Sequence, residues 1–589
     1  MARRLIGARG SELAASSPWR ALVALLMLIP ILIDVGWHER PWDLEREVTH
    51  AALGVLWIAY AGILGWQVHS MRRRDGKWRN LLRITRPEQI ILVAGTALAW
   101  SMPALSIAAT MLLVVALMRF YLRLVERDFP PSLVFLMSFV ALLIVGTALL
   151  MLPAATPRDQ PISPLDAAFT ITSAISQTGL VVRDTGTGFT RLGQIVIMIW
   201  IQVGALGVLV FGALIASFIG SGFGLRATQT IAEGTEQGWT GQLSLQKLVS
   251  FIIIVTHGFE LIGAVILYFA WPGAEEAWAG RPHDFDTNLD RAYHSMFFSV
   301  SAFCNAGFAT TTDSMESLRA HWLPHTVIVP LIVLGSIGFP VLANIWDVFI
   351  SRIRGIRVRD GSLIRLNLNT KVVLSTALVL YVLGFGLIFL GEVAQAHVDW
   401  KLALLDAHFM NINRTSGFDT IAPVEMGLLS RLSLIALMFV GGSPGSVAGG
   451  IKLMVFAVLV LTVWSTIRGR EHTTVFGRTI PDALVRKCAT LIVLSLVTVM
   501  SVAGVLAFTD ANLGTQSLGP LLFEATSAFG TTGLSTGITS SLSFPGKIAI
   551  MVAMFVGRVG PLAVMAGLAS VARARRARHY YPTEEVVVY

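Results

Sequence analysis

The sequence predicts an all-α polytopic membrane protein, and three observations carry that reading. Long apolar runs recur through the 589 residues, and runs of about 20 residues are long enough to cross a bilayer as helices. Charged residues make up only 14% of the chain and apolar residues 54%, against roughly 25% charged in a soluble globular domain. Mean hydropathy is +0.68. A water-facing surface cannot be built from so few charges over this length, and disordered chains are poor in apolar residues. Third, one short Gly-containing pattern returns four times, each time between two apolar runs. The two cysteines, Cys304 and Cys488, make neither a disulfide framework nor a cysteine metal cluster.

In chain order, the candidate spans are residues 21–36, 51–66, 133–152, 192–220, 248–271, 326–348, 372–390, 432–464, 484–508 and 548–571. Arg3, Arg4 and Arg9 precede the first run, but no small-residue cleavage site follows it, so it reads as an uncleaved first helix. Basic residues then set the orientation. Arg72, Arg73, Arg74, Lys77, Arg79, Arg83 and Arg86 fill one loop. Arg352, Arg354, Arg357, Arg359, Arg365 and Lys371 fill another. Arg468, Arg470, Arg478, Arg486 and Lys487 fill a third, and Arg573, Arg575, Arg576 and Arg578 crowd the C-terminal tail, 573–589. The positive-inside rule places all four in the cytoplasm. Acidic residues gather on the opposite side: Asp43, Glu45 and Glu47, then Glu275, Glu276, Asp284, Asp286 and Asp290. The net charge of +9 is therefore a topology signal rather than a nucleic-acid footprint. Parity between the inside regions 72–86 and 123–128 demands a hairpin over 88–121, turning near Ser101-Met102-Pro103. The expectation is four N-terminal spans within 1–128, twelve spans in all, and both termini in the cytoplasm.

The fourfold pattern carries the chemistry. It reads Thr172-Ser173-Ala174-Ile175-Ser176-Gln177-Thr178-Gly179-Leu180, then Val300-Ser301-Ala302-Phe303-Cys304-Asn305-Ala306-Gly307-Phe308. It returns more loosely as Asn413-Arg414-Thr415-Ser416-Gly417-Phe418, and last as Thr526-Ser527-Ala528-Phe529-Gly530-Thr531-Thr532-Gly533-Leu534. Half-length apolar stretches precede each copy, at 165–175, 292–303, 402–412 and 521–529. About eleven residues cannot cross a bilayer as a helix but suit a re-entrant helix. Each unit is then span, short helix, Gly-containing loop, span, giving repeats over 129–235, 236–360, 361–480 and 481–572. Four such units can surround one axis as a pseudo-fourfold pore.

Irregular backbone at membrane depth is tolerated only where it is buried in protein or lines a watery path. Glycine permits backbone angles and close approach that other residues resist. Carbonyls can then replace an ion's hydration shell, and helix C-termini add partial negative charge that favours a cation. No Asp or Glu falls in the loops, which favours a weakly hydrated monovalent ion over Ca²⁺ or Mg²⁺. The candidate ion-lining residues are Ser176, Gln177, Thr178 and Gly179; Cys304, Asn305, Ala306 and Gly307; Arg414, Thr415, Ser416 and Gly417; and Gly530, Thr531, Thr532 and Gly533.

A second candidate lies within 432–464, interrupted by Gly441, Gly442, Ser443, Pro444, Gly445, Ser446, Gly449 and Gly450. Pro and Gly break helices, so this stretch is either a flexible intramembrane loop under the pore or a plain kink. Arg558 lies in the last span, facing a polar path or snorkelling to the cytoplasmic edge. His257 and Glu260 pair with each other or with another helix. Glu524 reads as an acid at the start of the fourth short helix. Arg414 either repels cations or braces its loop through carbonyls.

These motifs, with Gly441–Lys452 and Gly557-Arg558-Val559-Gly560-Pro561, resemble the Trk/Ktr/HKT superfamily of potassium transporters, KtrB- and TrkH-like membrane subunits above all, over roughly residues 130–572. The resemblance implies K⁺ uptake across the plasma (inner) membrane through a selectivity filter, with 441–450 as an intramembrane gate and Arg558 nearby. It implies a homodimer with two pores, regulated by a cytosolic nucleotide-binding subunit, KtrA- or TrkA-like. Nucleotide (ATP, ADP or NAD) is expected only on that partner, and no covalent cofactor. Glycine at all four filter positions is similar to the potassium-selective members; Gln177 and Cys304 depart from the usual pattern. A Na⁺-permeable or Na⁺/H⁺-coupled member of the same family is the alternative. The basic clusters equally suit anionic lipid head groups. An enzyme is not expected, since no HExxH, Gly-x-Ser-x-Gly or Walker loop is present. A two-repeat carrier with charged midplane residues fits four uncharged loops poorly.

Overall fold

The computed structural model describes residues 18–37, 46–74, 86–97, 101, 104–113, 115, 131–206, 245–272, 287–355, 363–395, 399–510 and 518–561. Within them the regular structure is helical, apart from one hairpin of two-residue strands, Thr474–Val475 with Arg478–Thr479, and an isolated bridge between Val440 and Ile451. Its turn, Phe476-Gly477, has both residues at positive φ, the backbone of a tight hairpin turn that follows strand twist.

The N-terminal helices are α1 (Pro18–Leu26), α2 (Leu28–Val35), α3 (Arg46–Arg74), α4 (Arg86–Ala97) and α5 (Ala104–Leu113). They share an apolar core of Met27, Leu53, Trp57, Tyr60, Leu92, Leu105 and Leu112, apart from the main core. The run expected over 21–36 is one apolar helix over Leu22–Val35, locally irregular at Met27 between α1 and α2, where Pro30 lacks the N–H that would bond to the carbonyl four residues back. Within 88–121 the two short helices α4 and α5 are described, while 98–100, 102, 103, 114 and 116–121, with most of the expected turn at Ser101-Met102-Pro103, lie outside the described residues.

The main body runs α6 (Pro131–Leu150), α7 (Pro164–Ser176), α8 (Arg191–Leu206), α9 (Leu245–Ala270), α10 (Asn288–Phe303), α11 (Val329–Ser336) and α12 (Phe339–Arg354). It continues with α13 (Leu368–Val393), α14 (Trp400–Asn413), α15 (Leu428–Phe439), α16 (Leu453–Ile467), α17 (Asp482–Thr509), α18 (Leu518–Gly530) and α19 (Phe544–Val559). Among the described residues, four helices are long and apolar enough to cross a membrane: Glu47–Ser70, Ser250–Ala270, Leu368–Val393 and Asp482–Thr509. Their outward faces stay apolar: Phe269 is 77% exposed, Leu378 62% and Phe508 90%, which in water would be an extensive uncovered patch and in lipid is ordinary.

A fifth span is bent: Pro324–Ser336 and Phe339–Arg354 meet at 102°. The expected uninterrupted helix over 326–348 is thus corrected. Gly338, at φ +90°, makes the corner. The break over 432–464 falls where glycines and Pro444 foretold it, between α15 and α16. The run 133–152 is described as α6, whereas 192–220 and 548–571 are described only in part, with 207–220 and 562–571 outside the described residues, as are the basic tail and the acidic 275–286 region.

Helix neighbours follow a cycle. Three half-length helices pack on the helix before and the helix after: α7 on α6 and α8, α10 on α9 and α11, and α18 on α17 and α19; α14 packs on α13 before it and on α11 of the preceding group. Across groups, α8 packs on α10, α11 on α14, α15 on α18 and α19 on α7, which returns to the start. An ion pair between Lys547 and Asp166, at 2.7 Å, ties the last group to the first.

Candidate ion pathway

Three of the half-length helices begin at a polar cap that the apolar pattern alone underestimates. Ser163 accepts the Asp166 N–H at the head of α7, with Pro164 in the first turn. Thr287 and Asp290 form a capping box on α10, and Asp399 caps α14. Such caps satisfy first-turn amides and lengthen the helices to 13, 16 and 14 residues. The longest spans about 24 Å at 1.5 Å per residue, short of the roughly 30 Å hydrocarbon core.

At their C-terminal ends the chain turns through left-handed backbone. Gln177, Asn305 and Thr531 have φ of 59°, 54° and 49°, and Gly179, Gly307, Gly417 and Gly533 follow at 87°, 69°, 89° and 97°. These four glycines touch one another's loops in a closed ring. A methyl group added at Gly179 would sit 2.6 Å from the Ala306 carbonyl oxygen, and one at Gly307 would sit 2.2 Å from that of Ser416. At Gly417 it would meet the Thr532 oxygen at 2.3 Å, and at Gly533 the Thr178 oxygen at 2.1 Å. The order 179, 307, 417, 533 and back to 179 brings together all four expected loops, at a spacing that leaves no room for a side chain.

Serine tethers hold the loops. Ser173 Oγ accepts the Gly179 N–H at 3.0 Å and Ser527 Oγ the Gly533 N–H at 3.1 Å, while Ser301 Oγ donates to the Phe308 carbonyl at 2.7 Å. Backbone amides of Thr178, Ala306 and Thr532 point back to the carbonyls of Ser173, Ser301 and Ser527 at 2.8–2.9 Å. Donors thus turn into the helix ends, and the carbonyls of 178, 306, 416 and 532 are left at the ring. Sequence reading missed these serines. The signal was there: a serine six residues before the glycine in copies one, two and four. The third copy has Asn411 instead, which donates to the Tyr381 carbonyl at 2.8 Å.

Several expected lining residues turn their side chains away from the ring. Ser176 Oγ donates to the Thr172 carbonyl at 2.6 Å. Cys304 Sγ lies 3.4 Å from Glu260 Oε1 and from Gln202 Oε1. His257 Nδ1 lies 2.9 Å from Glu260 Oε2, and Gln202 Nε2 donates to that oxygen at 3.0 Å, so the carboxylate takes partners from its own helix and from α8. Arg414 sends its guanidinium to the carbonyls of Leu437, at 2.9 Å, and Val440, the end of α15. This is the bracing geometry. Its own carbonyl accepts Thr532 Oγ1 at 2.8 Å, linking loops three and four.

Glu524 is not at the start of its helix. Helix α18 begins at Leu518, since the turn before the apolar stretch is helical too, and Glu524 is fully buried within it. It accepts Ser535 Oγ at 2.5 Å, Thr536 N–H at 2.9 Å and Thr539 Oγ1 at 2.8 Å. It therefore clamps the chain leaving the fourth loop. Glu524→Ala is expected to destabilise the protein by at least about 2 kcal/mol, because several donors lose a charged acceptor; Glu524→Gln should cost less. Unchanged thermal unfolding in detergent would show that 535–539 is held by other means.

Residues 441–450 form a compact plug rather than a kink. Gly441 N–H donates to the Ile451 carbonyl and Leu453 N–H to that of Gly442, so the loop's ends close on each other at 2.8 and 2.9 Å. Ser443 and Val447 N–H groups bond to the Ser336 and Gly335 carbonyls, and Phe339 N–H to that of Gly445, filling the bend between α11 and α12. Gly449 N–H donates to Thr531 Oγ1 at 3.0 Å, directly beneath the fourth loop. Arg558 donates to the carbonyls of Val447 and, at 2.7 Å, Gly204, joining the plug to α8.

A family model described as "Cation transport protein", TrkH, matches residues 115–571. The chain is 34% identical over 463 residues to the Ktr system potassium uptake protein B of Bacillus subtilis, covering 78% of this chain and 96% of that protein. It is 29% identical over 470 residues to the potassium/sodium uptake protein NtpJ of Enterococcus hirae, covering 79% and 98%. The crystal structure of the potassium transporter TrkH from Vibrio parahaemolyticus aligns with a TM-score of 0.54 at 16% identity, over 95% of this chain and 99% of that one. That alignment reaches into the N-terminal helices that the family model leaves out. With the ring, the plug and these relatives together, the chain belongs to the TrkH family of cation transport proteins: a multi-pass membrane transporter, not an enzyme.

Proposed function

We propose that the protein carries K⁺ into the cell through the ring of four loops, and the closed 179–307–417–533 contact cycle is the observation that carries this reading. In it, the repeats over 129–235, 236–360, 361–480 and 481–572 are four units of span, re-entrant helix, loop and span about one pore. Ring carbonyls replace water around a weakly hydrated ion, and the converging C-termini of α7, α10, α14 and α18 add negative potential. The 441–450 plug is the gate, with Arg558 as its latch. The relatives named as parts of a Ktr system support a partner subunit; in this reading that subunit is cytosolic and nucleotide-binding, and it docks on the basic loops and tail of a homodimer whose termini are both cytoplasmic.

The test is tracer flux in proteoliposomes with K⁺, Rb⁺, Na⁺ and Li⁺ compared. K⁺ and Rb⁺ are expected to permeate better; Na⁺ flux at or above K⁺ flux would overturn the potassium reading. The name of the Enterococcus hirae relative supports a second reading, shared K⁺ and Na⁺ passage.

One carboxyl adds a pH dependence. Asp419, two residues past Gly417, retains some solvent contact, yet its carboxyl is pushed up to about 7, chiefly by loss of hydration. A hydrogen bond from Ser314 opposes the rise, while Glu316 and Asp313 add repulsion. Below neutrality it is uncharged; above, it adds a negative charge beside the ring. Rubidium uptake at subsaturating concentration should rise about two- to threefold from pH 6 to pH 8, and Asp419→Asn should flatten that rise. An unchanged slope in the variant would assign the effect elsewhere. Because the unfolded value is near 3.9, this group's contribution to stability is full below about pH 4 and is lost as pH rises to about 7.

A further inference from the structure

The residue two positions before each ring glycine is Gln177, Asn305, Thr415 or Thr531. Three of these side chains are engaged. Thr415 Oγ1 donates to Asn305 Oδ1 at 3.1 Å, Asn305 Nδ2 donates to the Ile332 carbonyl at 3.2 Å, and Thr531 Oγ1 accepts from Gly449 of the plug at 3.0 Å. This layer thus joins neighbouring loops to one another and to the plug. Gln177 is the exception. Its side chain is fully buried, and among the described residues neither Oε1 nor Nε2 has a hydrogen-bond partner. It also sits at φ 59°, a conformation that residues other than glycine rarely adopt.

A buried carboxamide with both ends unpaired is costly, and such orphans mark places where water or an ion belongs. The surroundings narrow the choice. The side chain follows the end of α7, whose C-terminal carbonyls carry partial negative charge that favours a cation. The ring's own ligands are neutral amide-type oxygens, and Gln177 Oε1 is chemically one more. No carboxylate stands in the four loops, which disfavours a divalent ion.

We infer that Gln177 Oε1 is a side-chain ligand for the permeating monovalent cation on the plug side of the ring, taking the place of one hydration water while Nε2 faces the remaining water. The inference rests on the transport reading and adds to it a specificity-determining side chain at one of four otherwise carbonyl-based positions.

The experiment is rubidium uptake by proteoliposomes bearing the full chain as wild type, Gln177→Met or Gln177→Glu, with Ca²⁺ as competitor. Methionine matches the length but offers no oxygen, so apparent KM for Rb⁺ should rise about tenfold, the usual order for a hydrogen-bond-strength contact to a charge, with maximal rate largely kept. Glutamate keeps the oxygen and adds charge, so it should preserve the wild-type KM and create a Ca²⁺ block that wild type lacks. A residue that merely packs would not produce that block. If Gln177→Met fails to run as a monodisperse particle, the Glu variant decides alone: block supports the ligand role and absence of block overturns it. Unchanged KM in Met and no block in Glu, with a permeable wild type, overturns this inference only. A wild type that passes no monovalent cation overturns the transport reading and this inference with it.

Discussion

Gly533→Ala is expected to lower rubidium uptake at least about tenfold while the protein still folds. The added methyl would sit 2.1 Å from the Thr178 oxygen and 2.9 Å from the Gly179 α carbon, and both belong to backbone that cannot swing aside. The residue would also keep φ near +97°, which costs a side-chain-bearing residue about 1–2 kcal/mol. Overpacking adds roughly 1–3 kcal/mol. Concentrated on one loop, that sum is enough to displace a ring carbonyl, and each 1.4 kcal/mol or so is a factor of about ten. The four positions are not equivalent. Gly179 has the loosest contact, 2.6 Å to its nearest atom against 2.1–2.3 Å at the other three. Gly179→Ser is therefore expected to keep measurable flux while narrowing the difference between K⁺ and Na⁺, and Gly533→Ser to lose flux outright. Wild-type uptake and wild-type ion preference in Gly533→Ala would mean that ions do not pass through the ring.

Arg558→Ala is expected to raise uptake about tenfold or more without changing ion preference. The guanidinium donates to the Val447 carbonyl in the plug and to the Gly204 carbonyl at the end of α8. Hydrogen bonds from a charged group are worth about 1.5–3 kcal/mol each, so their loss shifts the plug's equilibrium by one to several powers of ten if its displaced state is the conducting one. Anchors that do not involve Arg558 remain, among them Ser443 and Val447 on α11, Phe339 on Gly445 and Gly449 on Thr531. Thr531→Ala, which removes only the Gly449 contact, should raise uptake by a smaller factor. The check is tracer uptake at matched protein levels. Unchanged or lower flux in a folded Arg558→Ala protein would make the plug a structural brace rather than a gate.

Much of the site was legible in one dimension. Each loop announces itself locally: a half-length apolar stretch, a glycine, then another long run, and the break over 441–450 follows from its glycines and Pro444. The bracing role of Arg414 was one of two readings the sequence allowed, and the carbonyls of Leu437 and Val440 single it out. Other features were not legible. Glu524 looked like an N-terminal acid because hydropathy marks only the apolar part of a helix, whereas α18 starts three residues earlier than that stretch. The corner at Gly338 was not foreseen although Gly335, Gly338 and Pro340 lie close together in the run, because hydropathy alone reads 326–348 as one uninterrupted apolar stretch. Here it turns because the plug occupies its inner side, with the Pro444 oxygen 2.8 Å from where a methyl group would stand.

By itself, then, the sequence determined the membrane class, the helical composition and the four glycine loops, since hydropathy, charge and backbone permissiveness are properties of neighbours along the chain. The tertiary structure alone decided which loop each glycine touches, since the glycines lie 110–128 residues apart in sequence and no period encodes their pairing. It also decided that Ser173, Ser301 and Ser527 hold the ring, that Arg558 reaches both Val447 and Gly204, and that Gln177 is left without a hydrogen-bond partner among the described residues. The reason is physical: a hydrogen bond depends on ångström-scale distance and direction across helices, and that geometry exists only once the helix groups have closed on one another.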